Sequence, residues 1–215
     1  MKPYLISIVI TLFLSCTKSA DSPKPIVPPR VDETPLAAYI NTDPAAVTLT
    51  VRDPQQKEIG YAFQALKKGT IYALGICMPQ TAQAFKVTLW DAATKQIIKQ
   101  KTITNSSSTV FSYIELSSSG TNEYVDIEKN RTYIVSVNAA AISVGAPDRQ
   151  WYQLSKPGAN ANFLPITKGN IKILEGRYTD AAAPSPTFPD KTNFDVFGLH
   201  LLFGLPDIGF YATEY

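Results

Sequence analysis

An all-β, antiparallel β-sandwich of jelly-roll or immunoglobulin-like type, built as a single domain, is predicted by three features of the chain. Short runs of alternating apolar and polar residues recur between turn-forming clusters, the clearest being Ala84-Phe85-Lys86-Val87-Thr88-Leu89-Trp90-Asp91. The 16 prolines and 11 glycines are spread along the chain and would break a helical bundle. No run of helical period reaches a useful length. At 215 residues, 45% of them hydrophobic, the chain has the size and apolar content of one well-buried domain.

The amino terminus reads as processing and anchoring sequence. Lys2 supplies a positive start, and residues 5–14 form an apolar run of about ten residues, the length of a secretory signal core and too short to span a bilayer. The run ends in Leu12-Phe13-Leu14-Ser15-Cys16, which resembles the lipobox of bacterial lipoproteins, where a cysteine after a small residue is acylated and becomes the new amino terminus. Phe13 and Leu14 depart from the usual pattern, so the resemblance rests on the apolar run, Ser15 and Cys16. It implies a signal peptide over residues 1–15 and a lipid on Cys16; cleavage with Cys16 left unmodified is the alternative. Residues 16–35 then read as a tether, with Pro23, Pro25, Pro28, Pro29 and Pro35 among Ser, Lys and Asp. Such a composition favours polyproline-like extension at ~3 Å per residue and cannot bury a core. Thr17 is not the aspartate that retains such lipoproteins at the inner membrane, so a lipid-anchored outer-membrane location is expected. Exposure on the periplasmic or the cell-surface face stays open.

Residues 36–215 are expected to form the sandwich, with β structure throughout. Residues 47–51 alternate Val-Thr-Leu-Thr-Val before the turn at Asp53-Pro54. Ile59, Tyr61 and Phe63 share one face of the next run. In residues 70–78, Tyr72, Leu74, Ile76 and Met78 face one way and Ile71, Ala73, Gly75 and Cys77 the other; apolar on both faces, this reads as a central strand. Cys77 is then a small buried hydrophobe. In the run ending at Asp91, Phe85, Val87 and Leu89 point to the core and Trp90 points away with Lys86 and Thr88. Residues 95–104 carry Lys99 and Lys101 on the face of Ile97 and Ile103, as edge strands do. Val110, Ile114 and Leu116 are expected inward, and Phe111, Tyr113 and Glu115 outward. Residues 126–130 read as a turn before Tyr133, Val135 and Val137. Residues 151–154 and 170–178 read as strands, 179–191 as a long loop, 194–203 as a buried strand and 206–215 as a short tail.

Four segments carry a family likeness: Gly60-Tyr61-Ala62-Phe63, Gly69-Thr70-Ile71-Tyr72-Ala73-Leu74-Gly75-Ile76, Val87-Thr88-Leu89-Trp90-Asp91 and Asn130-Arg131-Thr132-Tyr133-Ile134-Val135-Ser136. With Asp195-Val196-Phe197 near the end, they resemble an uncharacterised bacterial extracellular β-sandwich domain family over roughly residues 57–203. The resemblance implies a jelly-roll or immunoglobulin-like sandwich of secreted proteins, often beside adhesion or polysaccharide-active modules. Each motif marks a strand and none a reaction, so the likeness bears on fold rather than activity.

Chemistry is sparse. The 20 basic residues against 18 acidic leave +2, without the basic footprint of a nucleic-acid binder. His200 is the only histidine and lies in the apolar 194–203 run, where a structural role is expected. The two cysteines, Cys16 and Cys77, have no metal-ligand spacing, and no cofactor motif is present. Asp126 and Glu128 are the weak candidates for a loop calcium, which lacks a D-x-D-x-D-G loop. The informative feature is aromatic placement: Trp90, Phe111 and Tyr113 on outward faces, and Trp151 and Tyr152 in the irregular region. Exposed rings stack on sugars and anchor protein interfaces. For Trp90, part of a strand motif of the resembling family, packing is the preferred reading; for Trp151 and Tyr152 both readings stand. The expectation is a non-catalytic envelope lipoprotein acting as a binding or adhesion module, with a glycan or an envelope protein as its candidate partner. The alternatives are a subunit docking on an outer-membrane protein, and a glycan-active enzyme using two carboxylates across a cleft.

Overall fold

A computed structural model describes residues 29–42, 48–52, 58–117, 121–139, 151–155, 163–179, 185–192 and 201–214. Among the described residues the fold is all-β apart from one short helix. In order, the elements are α1 (Pro35–Thr42), β1 (Thr48–Arg52), β2 (Glu58–Ala65), β3 (Gly69–Ile76), β4 (Gln83–Asp91), β5 (Ile97–Asn105), β6 (Ser112–Glu115) and β7 (Val125–Ile127). They continue with β8 (Thr132–Asn138), β9 (Trp151–Ser155), β10 (Ile166–Lys168), β11 (Ile171–Thr179), β12 (Lys191–Thr192), β13 (Leu202–Phe203) and β14 (Pro206–Ala212). The large sheet runs β10-β11-β2-β8-β4-β5, with β12 beside β11; a second sheet runs β14-β3-β6, with β7 also on β3; a third runs β1-β9-β13. Every strand pair is antiparallel.

The core between the sheets follows the period-two pattern. Ile59, Tyr61 and Phe63 of β2, Phe85, Val87 and Leu89 of β4, and Tyr133, Val135 and Val137 of β8 enter it from the large sheet. Ile71, Leu74 and Ile76 of β3 and Ile208 and Phe210 of β14 enter from the second sheet. Burying a Phe, Ile or Leu side chain contributes about 1.5–3 kcal/mol each, which makes this shared face the main source of stability. Cys77 is buried, as expected, and desolvation pushes its thiol up to about 11. β5 is the edge of the large sheet, and its Lys99 and Lys101 both pair with Glu123, at 2.7 and 2.9 Å.

The structure corrects the sequence expectations at five places. Residues 35–42 form a helix where β was expected. Thr34 precedes it with its carbonyl accepting from Ala38 N–H at 2.8 Å, and Pro35 takes the first helical position, where its fixed φ helps and its missing N–H costs nothing. The stretch read as a carboxy-terminal tail is β14, buried from Pro206 to Phe210. The stretch read as a turn from Asp126 starts inside β7. Tyr72 leaves the core face because Gly209 and Phe210 pair with Ala73 and Ile71, so Tyr72 is the extra residue of a β-bulge. Val110 and Ile114, expected inward with Leu116, are 64% and 37% exposed, because β6 is a short edge strand and Val110 lies in the bend before it.

The last residues of the proline-rich segment also lie on the domain. Glu33 exchanges both backbone hydrogen bonds with Phe210, at 2.7 and 2.8 Å, extending the free edge of β14. Its carboxylate accepts from Asn170 N at 2.7 Å and from Asn170 Nδ2 at 2.5 Å. The Arg30 guanidinium sits over the rings of Tyr72 and Tyr211, 4.6 and 4.0 Å from their centres. The signal-peptide residues, Cys16, the 194–200 part of the closing run and His200 lie outside the described residues.

Candidate functional site

The sequence-predicted aromatics divide into two buried tryptophans, the half-buried Phe111 and Tyr152, and the exposed Tyr113. Trp90 is 3% exposed: its ring meets the edge of Phe188 at 5.8 Å and 87°, and Nε1 donates to Ser136 Oγ at 2.7 Å. Trp151 is 6% exposed and packs on Phe203 at 4.8 Å. These two indoles are packing residues, so a surface platform of tryptophans is ruled out at both positions. Tyr152 is half-buried and donates its hydroxyl to Ser108 O at 2.7 Å. Phe111 and Tyr113 form a near-parallel pair 6.0 Å apart, and Tyr113 is 37% exposed. Phe111 is half-buried against the core, while Val110 before β6 and Ile114 on it are exposed, Ile114 on the opposite face of the strand from Tyr113; β6 pairs only with β3 among the described residues.

Tyr113 also reaches into the molecule. In ladder register Tyr113 stands opposite Gly75, and Gly75 opposite Asp207, so the three lie in one row across the second sheet. The Tyr113 ring crosses above Gly75, where a Cβ would be 2.3 Å from it, and the hydroxyl donates to Asp207 Oδ2 at 2.8 Å. Asp207 is fully buried and accepts five hydrogen bonds: Tyr113 O–H, Tyr61 O–H at 3.1 Å, Ile208 N–H at 2.9 Å, Leu36 N–H at 3.1 Å and Ala37 N–H at 2.9 Å. The last two are first-turn amides of α1 that the helix itself cannot satisfy, so a carboxylate from β14 caps the helix in place of a local side chain. Burial pushes the Asp207 carboxyl up, against the pull of these donors, and burial with the neighbouring carboxylate pushes both tyrosines up. Sequence reading placed Asp207 in a tail and gave it no role.

The outer face of the large sheet holds a second buried carboxylate. One ladder row contains Gln100, Thr88, Ser136, Gly60 and Arg177; the next contains Lys86, Asn138, Glu58 and Thr179. Glu58 is fully buried on this face. Ser136 O–H donates to its Oε1 at 2.5 Å, Asn138 Nδ2 donates to Oε2 at 3.1 Å, and the backbone N–H of Thr187 adds a third bond. Desolvation outweighs these donors and raises the carboxyl from its ordinary 4.5 to about 7. Trp90, Ser136 and Glu58 thus form a relay covered by residues 185–192. Alternation puts Trp90 on this face, while Glu58 carries no signal in the sequence.

The remaining candidates are engaged structurally. Asp126 accepts from Thr70 Oγ1 at 2.9 Å, and Glu128 pairs with Arg131 at 3.5 Å. Asp91 accepts from the amides of Ala93 and Thr94 at 2.9 and 3.1 Å, closing the turn after β4, and it ion-pairs with Arg131. Among the described residues no group of three or more His, Cys, Asp or Glu side chains is placed to hold a metal. Comparison with protein-family models, with curated proteins and with solved structures finds no match to this chain.

Proposed function

We propose that this protein is a non-catalytic binding module of the cell envelope, anchored through a lipid on Cys16, and that it docks a protein partner along the β6 edge. The observation that supports it is the exposure of Val110, Tyr113 and Ile114, at 64%, 37% and 37%, on and just before a strand that pairs only with β3 among the described residues. Branched aliphatics beside stacked rings suit a protein surface, where aromatic anchors supply area at low entropic cost. Site-specific photocrosslinkers at Val110 and Ile114, compared with one at the exposed Lys67, test the proposal in envelope preparations. One dominant adduct formed from both positions and absent at Lys67, with the adduct at Ile114 abolished by Val110→Asp, is the expected result. Equal labelling at all three positions, or monomer alone, defeats it.

Glycan capture is the second reading, favoured by the near-parallel Phe111 and Tyr113 rings. Since both tryptophans described are buried, its readout is retardation in polysaccharide affinity gels rather than indole fluorescence. Retardation lost in Phe111→Ala would move the assignment to glycan.

A further inference from the structure

The segment that leads toward Cys16 is fastened to one end of the domain. Arg30 stacks on Tyr72 and Tyr211, and Glu33 joins Phe210 through its backbone and Asn170 through its carboxylate. Gly169, at φ +59°, leaves room for that carboxylate, which a Cβ at this position would strike. Pro29 and Val31 line one small cleft with Lys67, Asn170 and Glu214. The chain toward Cys16 therefore leaves the domain beside the turn between β2 and β3.

Ladder register sorts the other loops to the two ends. Gln64 pairs with Thr132 and Lys172, Gly69 with Ile127 and Ala212, and Asp91 with Tyr133, so the turns at residues 66–68, 92–96, 128–131 and 169–170 share the end from which the chain leaves. Gln83 pairs with Asn105 and Ile76 with Ser112, which puts residues 77–82 and 106–111 at the other. Charge follows the same division. Lys67, Lys68, Lys95 and Lys129 stand exposed on the turns of the first end, with Arg131, Lys168 and Lys172 behind them; residues 77–82 and 106–111 hold no charged side chain. The carboxylates of the first end are fewer and are engaged: Asp91 and Glu128 with Arg131, Glu33 with Asn170, Asp126 with Thr70, and Glu214 with the backbone N–H of Lys68 at 3.1 Å. Arg30 and Asp32 pair with each other.

We infer that this end rests on an anionic phospholipid surface, with residues 30–34 fixing where the anchor leaves and the lysines of the turns meeting the headgroups. The inference rests on the reading of Cys16 as the anchor. Fully extended, the chain from Cys16 to Pro29 spans at most roughly 45 Å, so this end stays within reach of the membrane. A lysine close to an anionic surface is favoured about fivefold, and the attraction fades within a Debye length, about 10 Å at 0.1 M salt. Turn tips come that close when this end faces the membrane. The uncharged end, with the exposed Val110, then points away from it.

Lysine footprinting tests the contact. The full chain is joined through the Cys16 thiol to a maleimide-headgroup lipid, which Cys77, being buried, leaves to Cys16. A water-soluble amine-acylating reagent is then applied on vesicles of phosphatidylglycerol with phosphatidylcholine, and on phosphatidylcholine alone. Acylation of Lys67, Lys68 and Lys129 is expected to fall about fivefold on the anionic vesicles, to recover as salt is raised, and to stay unchanged at Lys191. Arg30→Ala with Glu33→Ala is expected to erase the difference between Lys67 and Lys191 by freeing the segment. Equal protection of Lys67 and Lys191 in the unaltered chain, the same protection on phosphatidylcholine alone, or a footprint that survives in that double variant overturns the proposal. Because the lipid is attached chemically, the footprint does not depend on natural acylation, which mass spectrometry of Cys16 from envelope preparations judges separately.

Discussion

Asp207 shows how much one side chain can organise. Its carboxylate takes donors from α1, β2, β6 and β14, elements up to 171 residues apart in sequence. Buried charge is costly, and here the cost is met by filling the oxygens with donors rather than by a cation. Asp207→Asn would turn an amide N–H₂ toward a backbone N–H that can only donate, whichever oxygen it replaces: Ala37 on one side, Leu36 and Ile208 on the other. The expected loss is about 3 kcal/mol, seen as a lower urea midpoint with unchanged slope. Tyr113→Phe should cost less, roughly 1–2 kcal/mol, because Asp207 keeps four donors. None of this was legible in the sequence. Aspartate beside Pro206 and before Gly209 carries the same local signal as a turn, and nothing local tells a helix-capping carboxylate from a turn residue when the helix lies at the other end of the chain.

Individual strands were legible to the extent that alternation survives without bulges. In β4 the inward set Phe85, Val87 and Leu89 is fully buried and Trp90 lies opposite, as the pattern requires. β3 failed in one residue: the bulge inserts Tyr72 and shifts the phase on one side of it, so Ile71 and Leu74 both enter the core. The bulge has no sequence signature, since any residue can occupy it. The helix was missed because eight residues beginning with proline give too short a period to detect, and its amides are satisfied from a distant strand. Gly75 is the element-level test of how β3 and β6 fit together. A methyl there meets the Tyr113 ring at 2.3 Å, so Gly75→Ala should push the ring aside, break the Tyr113 bond to Asp207 and cost about 1–3 kcal/mol. The Phe111 and Tyr113 pair should separate with it, visible as changed aromatic ring shifts in the proton NMR spectrum.

At the scale of the whole molecule, two buried carboxylates with raised affinity for protons set the pH dependence of stability. Most folded proteins lose stability in acid because their carboxylates are better solvated or paired when folded. Here Glu58 works the other way. The unfolded chain titrates it near 4.5 and the folded chain near 7, so between those values the folded state holds more protons and stability falls as pH rises. The shift from 4.5 to about 7 corresponds to about 3 kcal/mol, complete by roughly pH 7.5. Asp207 shifts in the same direction through burial and adds to the trend. Glu123, held down at about 2 by Lys99 and Lys101, opposes it only at strongly acid pH, where water and salt screen so exposed a pair. Urea unfolding at pH 5, 6, 7 and 8 should therefore give midpoints that decline over the first two steps and then level. Glu58→Gln should remove most of that slope, leaving what Asp207 contributes. A midpoint rising from pH 5 to 7 in the unaltered protein would mean that Glu58 is solvated in the folded state. The buried relay beneath residues 185–192 would then have to be abandoned as the origin of the pH response.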